Sequence, residues 1–427
     1  MGLLSLTAVA DTFETFGFGP RAAAMGGAQT ADANDYTGVY YNPALMPYHK
    51  DVNFGFNFQW NRMNATVQQN DLARDLDCTY CAAQDQVGFS LGLLFPLGGR
   101  VRNRVAIGIG LYAPETRLLR VLAPARDQPF WLNYNSSPER LVLNVSMGIK
   151  IVDQVSLGIG VQALADLVGK GADVSVDLFN KQVTNATLDS HLATRIAPVL
   201  GLAIKPMPWL RFGATYRGEM ALLYQIPASV NLIGVGTLQF NITGTTLYSP
   251  HTIQFGAAVD VLPELTLSLD GEWQKWSDMP TPYTNLHIGL NGEVLKGLGL
   301  DKAFDINSPD QPPGLKDTFN ARFGAEYRIT ERVAARLGGF YKPTPVPKQD
   351  TQGTNILDCD TVGIAAGMGF AIDDPLEIFQ APVHIDLAAQ GQFLLGREAK
   401  KADTDSVPAY KYSATVYGLT ASVRYDF

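Results

Sequence analysis

Hydrophobic and polar residues alternate along this chain almost from end to end. Val52, Phe54, Phe56, Phe58 and Trp60 are apolar, and Asn53, Gly55, Asn57 and Gln59 fill the places between them. A period of two predicts a β-strand with one apolar face. The pattern returns at residues 87–93, 105–111, 141–151 and 155–161, more weakly at 196–204, 210–216 and 253–259, then at 265–269, 319–327, 333–337, 362–368, 383–389 and 417–427. That is about fourteen segments, an even number, as single-chain membrane barrels have.

The second face of each strand decides between a soluble sandwich and a barrel. A sandwich turns its apolar face inward and charges the outer one. Here the second face is Gly, Ser, Asn and Gln in the early strands, and carries charge later: Asp270, Glu272, Arg322, Glu326, Arg328, His384 and Asp386. No blade-length repeat supports a propeller. The pattern predicts an all-β, membrane-spanning antiparallel β-barrel of about fourteen strands, apolar outside and polar inside. Closure removes the edges that so many strands would otherwise expose. Tyr417, Tyr425 and Phe427 are expected at the membrane interfaces.

Connectors orient the barrel. Short links at 152–154, 207–208, 262–264 and 330–332 are expected as periplasmic turns, and 112–140, 166–191, 220–249, 274–317, 343–361 and 396–412 as extracellular loops. Residues 11–50 lack sustained alternation and are too few for a core of their own, so they are expected as an N-terminal plug in the lumen of a barrel spanning 51–427. Residues 1–10 end in Ala8-Val9-Ala10 and read as the tail of a signal peptide, with Asp11 the first mature residue.

Composition narrows the functional classes. Of 427 residues, 17% are charged, against about 25% in a soluble domain. No stretch reaches the ~18 apolar residues of a spanning helix. A net charge of −8 with 33 Lys+Arg argues against a nucleic-acid partner. Cys78 and Cys81 fall in the first expected extracellular loop and favour a local disulfide. A zinc site would need two more ligands, and with five His none is expected. Cys359 is left over, and no cofactor motif is present.

The sharpest motif is in the plug: Gly17-Phe18-Gly19-Pro20-Arg21-Ala22, Met25-Gly26-Gly27-Ala28, Ala31-Asp32 and Asn42-Pro43-Ala44. With Trp273-Gln274-Lys275-Trp276-Ser277 at a strand end and Thr344-Pro345-Val346-Pro347 after another, it resembles the FadL long-chain fatty-acid transporter family, which also includes aromatic-hydrocarbon transporters. The resemblance spans essentially the whole mature chain. It implies a monomeric barrel in the outer membrane of a Gram-negative bacterium, among lipid and lipopolysaccharide. It also implies passive uptake of a hydrophobic small molecule by extracellular capture, an internal pocket closed by the hatch, and lateral exit at a kinked third strand.

Hatch candidates are Gly26, Gly27, Asn42, Pro43 and Ala44: the glycines for positive φ or close approach, Pro43 for its fixed φ, and Asn42 for side-chain bonds to backbone. The bland alternative makes Asn42-Pro43 a turn into the first strand. Leu118, Leu119, Val121 and Leu122 with Phe130 and Trp131 form apolar loop clusters, suited to capture or to self-packing. Gly108, Gly110, Tyr112 and Pro114 favour a bulge or broken ladder, as a lateral gate requires. Phe13, Phe16 and Phe18 are expected at the pocket. Arg211, Arg217, Arg322, Arg328 and Arg336 are candidate partners for a fatty-acid carboxylate, although Glu219, Asp270, Glu272, Glu326 and Asp386 on the same face favour a self-neutralising network. Two other classes compete: a barrel serving as scaffold or secretion shuttle, and a lipid hydrolase, for which only His384 and Asp386 stand suitably close.

Overall fold

The computed structural model describes residues 12–69, 81, 85–115, 124, 128–135, 140–177, 182–233, 235–292, 297, 306–307, 312–348, 354–374, 381–401 and 407–427. The expected signal remnant at 1–10 lies outside them.

Fourteen strands form one closed antiparallel barrel. In order these are Asn53–Gln69, Gln86–Pro96, Val105–Pro114, Val142–Val152, Val155–Asp177, Gln182–Met207, Leu210–Arg217, Thr252–Leu262, Leu265–Gln274, Thr318–Thr330, Val333–Lys342, Thr361–Ile372, Val383–Ala399 and Tyr410–Asp426. Each pairs with the next, and the last returns to the first from Asn53↔Asp426 to Gln69↔Tyr410. Every alternating segment of the sequence is one of these strands. Their apolar positions point outward: Phe56, Ile109, Ile159, Phe255, Leu269, Leu337 and Leu419 are all exposed. An apolar band on a closed ladder has lipid as its natural solvent. No described helix is long and apolar enough to cross a membrane. At the short-turn end Tyr425 and Phe427 stack, with ring centroids 6.1 Å apart.

Two of the expected long loops are instead mostly strand. Val155–Asp177 and Gln182–Met207 are 23 and 26 residues long, more than twice the ~10 residues a crossing needs. The hairpin Met220–Leu232 and Gly236–Ser249 adds to them, with Ala172–Val176 pairing in parallel with Ala228–Leu232. The alternation that reveals a strand arises from lipid on one face. Above the lipid the ladder continues without it.

The plug occupies the lumen as short helices, Thr12–Phe16, Pro20–Ala24 and Gly38–Tyr41, followed by a 3-10 turn, Pro43–Tyr48. Its side chains are almost entirely buried. The wall around it has two different halves. Along the second to fifth strands the inward residues include Ser90, Gly92, Ala106, Gly108, Gly110, Ser146, Gly148, Ser156 and Gly158. Across the lumen stand Asp270, Glu272, Arg322, Glu326, Arg336 and Asp386.

Of the bulge or broken ladder expected in the third strand, no bulge is present, and the ladder to the fourth strand ends two residues before the third does. Its ladder to the second strand runs unshifted from Ala106↔Pro96 to Pro114↔Gly88, and its ladder to the fourth from Val105↔Ile149 to Tyr112↔Val142. Gly108 and Gly110 serve close approach instead. A Cβ on Gly108 would lie 2.7 Å from Met46 Sδ, and one on Gly110 3.0 Å from Val39 Cγ1.

Candidate functional site

The plug meets the small-residue half of the wall with apolar side chains. Phe13, Phe18, Tyr36, Val39, Tyr40 and Met46 form one buried cluster that also takes in Tyr112, Ala106 and Val142 of the wall. Phe13 packs on Phe18 at 4.3 Å between ring centroids and meets Tyr112 edge-on at 5.9 Å. The Tyr36 ring fills the space over Gly55 and Gly92, where a Cβ would fall 2.1 Å and 1.9 Å from it. Phe16 belongs to a second cluster, nearer the long loops, with Trp131 and Tyr134. Of the three expected pocket aromatics, two therefore share a cluster and one faces the other way.

Polar atoms at this contact find partners in register. The Ser146, Ser156 and Thr215 hydroxyls donate to the carbonyls of Val39, Ala44 and Tyr41 at 2.9, 2.5 and 2.9 Å. Asn42 bridges plug and wall: Nδ2 donates to Thr30 O at 2.8 Å and Leu202 O at 3.0 Å, while Oδ1 accepts from Ala44 N. Gly26 and Gly27 both take positive φ, 63° and 78°, a region that other residues enter only with strain. Gly26 also rests on the wall, and a Cβ there would stand 2.7 Å from Gly339 N.

On the charged half, plug and wall exchange ion pairs. Near the short turns Arg21 reaches Asp32 within the plug at 2.6 Å and Glu326 on the wall at 2.9 Å. Asp32 also receives Arg211 at 2.8 Å, which holds Asp260 at 2.6 Å. Arg336 pairs with Glu326 and Asp386. Nearer the long loops Arg322 binds Glu14 of the plug at 2.6 Å and Glu272 at 3.0 Å, and Lys342 joins Glu14 at 3.0 Å. Burial works to raise the Glu14 carboxyl, but Lys342 and Arg322 outweigh it and hold it at about 2. Burial likewise opposes the Arg21 charge, and Glu326 and Asp32 more than restore it.

Four of the five candidate arginines thus have partners in this network or at a turn. Arg211, Arg322 and Arg336 are committed to carboxylates, and Arg328 is exposed with its guanidinium on Pro263 O. Arg217 differs: it donates to Gln254 at 3.0 Å and to the Tyr40 carbonyl, and lies 4.2 Å over the Tyr40 ring. Glu14, Arg21, Asp32 and Lys342 complete the network and were not among the candidates. Arg21 and Asp32 stand in the plug motif and pair with each other 11 residues apart, whereas Glu14 meets Arg322 and Lys342 across 308 and 328 residues, so no local pattern marks that pair.

A cap closes the long-loop end. Phe130 and Trp131, expected at an exposed capture surface, are buried there and pair in parallel with Ile356 and Leu357. Trp131 Nε1 donates to Cys81 O at 2.9 Å, and its ring meets Tyr412 edge-on. The two long connectors pair with each other over the lumen, so their apolar side chains are buried inward. Tyr134 donates to Gln392, which in turn donates to the Thr15 carbonyl at 2.9 Å, joining cap to plug. Leu118, Leu119, Val121 and Leu122 lie outside the described residues. So does Cys78; Cys81 is disulfide-bonded and Cys359 is free and buried. The pairing a hydrolase would want is not made. His384 faces Asp426 at 3.2 Å, and Asp386 is taken by Arg336.

A family model described as outer membrane protein transport protein (OMPP1/FadL/TodX) matches residues 5–427. The fold is similar to that of a Pseudomonas aeruginosa FadL homologue, with 15% identity, 99% of both chains covered and a TM-score of 0.62. It is also similar to the Ralstonia pickettii toluene transporter TbuX, at 18% identity over 97% of this chain and 100% of that one, with a TM-score of 0.56. A stretch of 150 residues, 34% of this chain, is 30% identical to the DNA repair protein RecO of Stenotrophomonas maltophilia. The chain spans 60% of the length of that relative.

Proposed function

From a chain that belongs to the OMPP1/FadL/TodX family of outer membrane transport proteins, we propose passive uptake of hydrophobic small molecules, long-chain fatty acids or aromatic hydrocarbons, across the outer membrane. The family is one of transporters, and the barrel has their fold. In this reading residues 11–50 are the gate and residues 51–427 the conduit.

One observation carries the reading. The apolar side chains of the plug fill the half of the lumen whose wall is richest in glycine and small residues. Withdrawing Phe13, Phe18, Val39 and Met46 bares a smooth apolar lane beside the third strand. A hydrophobic solute is stabilised there by about 25 cal/mol per Å² removed from water. A hydrophilic solute gains nothing and meets the ion-pair network on the other side. The lane ends near Tyr112 and Pro114. Among the described residues the ladder to the fourth strand ends at Tyr112 while that to the second runs on to Pro114, which supports lateral release here. Extracellular capture is assigned to 118–122, and the Cys81 bond to Cys78.

Proteoliposomes test the reading. Those holding the protein should take up hexadecanoate or toluene faster than empty ones, with no added flux of arabinose. Arabinose flux at porin rates, or no gain for either hydrophobic solute, would overturn it.

A further inference from the structure

Glu14 occupies a position that an incoming ligand would have reason to contest. Its carboxylate is the plug's contribution to a cationic pair on the wall, Arg322 at 2.6 Å and Lys342 at 3.0 Å. It also lines two cavities. One, about 50 Å³, opens toward the cap between Tyr134, Asn320, Lys342, Asp358 and Gln392. The other, about 20 Å³, lies deeper among Phe13, Tyr41, Arg322 and Phe340. Glu14 thus stands between a polar chamber on the outer side and the start of the aromatic cluster.

The surroundings suit a carboxylate and exceed what Glu14 uses. Arg322 and Lys342 face it directly, with Arg217 a further cation on the same side. The other wall carboxylate at this level, Glu272, is already held by Arg322, Gln254 and Asn320. Arg322 Nε is a buried donor with no hydrogen-bond partner. Asp358 and the Asn320 Oδ1 atom, both on the cavity wall, oppose a carboxylate there, as does Glu272 beside Arg322. Burial pushes the Asp358 carboxyl up to about 7 against a Thr344 hydrogen bond and Arg397.

We propose that Glu14 is a resident carboxylate, holding the Arg322–Lys342 site until the carboxylate of an anionic amphiphile takes its place. The exchange costs little electrostatically, since one carboxylate replaces another on the same two cations. It frees Thr12–Phe16, and with it Phe13, from the wall. A neutral hydrocarbon makes no such exchange. The device therefore selects long-chain carboxylates among the solutes of the uptake reading, on which it rests.

The test measures equilibrium binding of dodecanoate and dodecanol to the full-length protein in non-ionic detergent. The alcohol reports the apolar site alone, and the acid reports the apolar site plus the cations. In Glu14→Gln the competitor is gone, and the ratio of dodecanoate to dodecanol affinity should rise about tenfold. Adding Lys342→Gln should bring the ratio back down. If the ratio is unchanged or falls in Glu14→Gln while dodecanol still binds, Glu14 is only a brace and the exchange is wrong. If neither compound binds wild type or variant, the uptake reading fails with it.

Discussion

Arg21 of the plug and Glu326 of the wall are 305 residues apart in sequence and share two hydrogen bonds, Nε to Oε2 at 2.9 Å and Nη2 to Oε1 at 3.2 Å. The same guanidinium holds Asp32, so one side chain both folds the plug on itself and fastens it to the barrel. Removing one member of a buried pair strands the other and costs about 3–5 kcal/mol. Arg21→Gln should therefore loosen the plug while the barrel stays closed. Hydrogen exchange in residues 20–32 should rise by orders of magnitude, with the wall strands unchanged. A double-mutant cycle with Glu326→Gln should show coupling of about 1–3 kcal/mol.

The seat of the plug depends on wall glycines. A Cβ on Gly338 would fall 2.2 Å from Gly26 N and Met25 C, both backbone atoms with nowhere to move. Gly338→Leu should push the plug out of register and raise single-channel conductance in a planar bilayer. Gly98→Leu, at a position with open space around it, should leave conductance at the wild-type level.

Trp131 is a buried part of the cap, bonded to Cys81 O and packed on Tyr412. Trp131→Ala leaves a cavity costing about 3–5 kcal/mol. Exchange protection should fall at 356–359, and at Thr15 through Tyr134 and Gln392. Trp209→Ala, at an exposed turn residue, should change neither.

Asp358 sets a pH dependence. Its carboxyl in the folded protein is raised to about 7, against about 3.9 in an unfolded chain. Between these values the folded state binds the extra proton, so stability falls as pH rises from 4 to 7 and levels off above. Thermal unfolding at stepped pH should show that slope in wild type, and Asp358→Asn should flatten it.

How much of this the sequence discloses follows from where each signal originates. Lipid on one face and polar contents on the other impose period two, so all fourteen wall strands are legible, Val52–Trp60 most clearly. The strand extensions at 166–177 and 182–191 are not, since their sequence lacks the sustained alternation that lipid on one face imposes. The two halves of the lumen show in outline, as Gly and Ser in the early strands and charge in the later ones. What Gly108 and Gly110 are for does not: a glycine that breaks a ladder and one that admits a neighbour look alike until Val39 and Phe18 are placed against them. Glu14 is opaque for a related reason, because Arg322 and Lys342 reach it only through the closure of the barrel.

A hydrophobic solute passes only when the plug leaves the small-residue half of the wall. Val39 Cβ lies 3.0 Å from where a Cβ on Gly108 would stand, a little inside the ~3.5–4.5 Å of a disulfide, so the bond forms once plug and wall part by a few tenths of an ångström and the flexible Met46 tip gives way. Val39→Cys with Gly108→Cys, in a Cys359→Ser background, therefore ties plug to wall reversibly. Uptake of hexadecanoate and toluene into proteoliposomes should stop in the oxidised protein and return on reduction. Equal uptake in the oxidised and reduced forms would contradict the account.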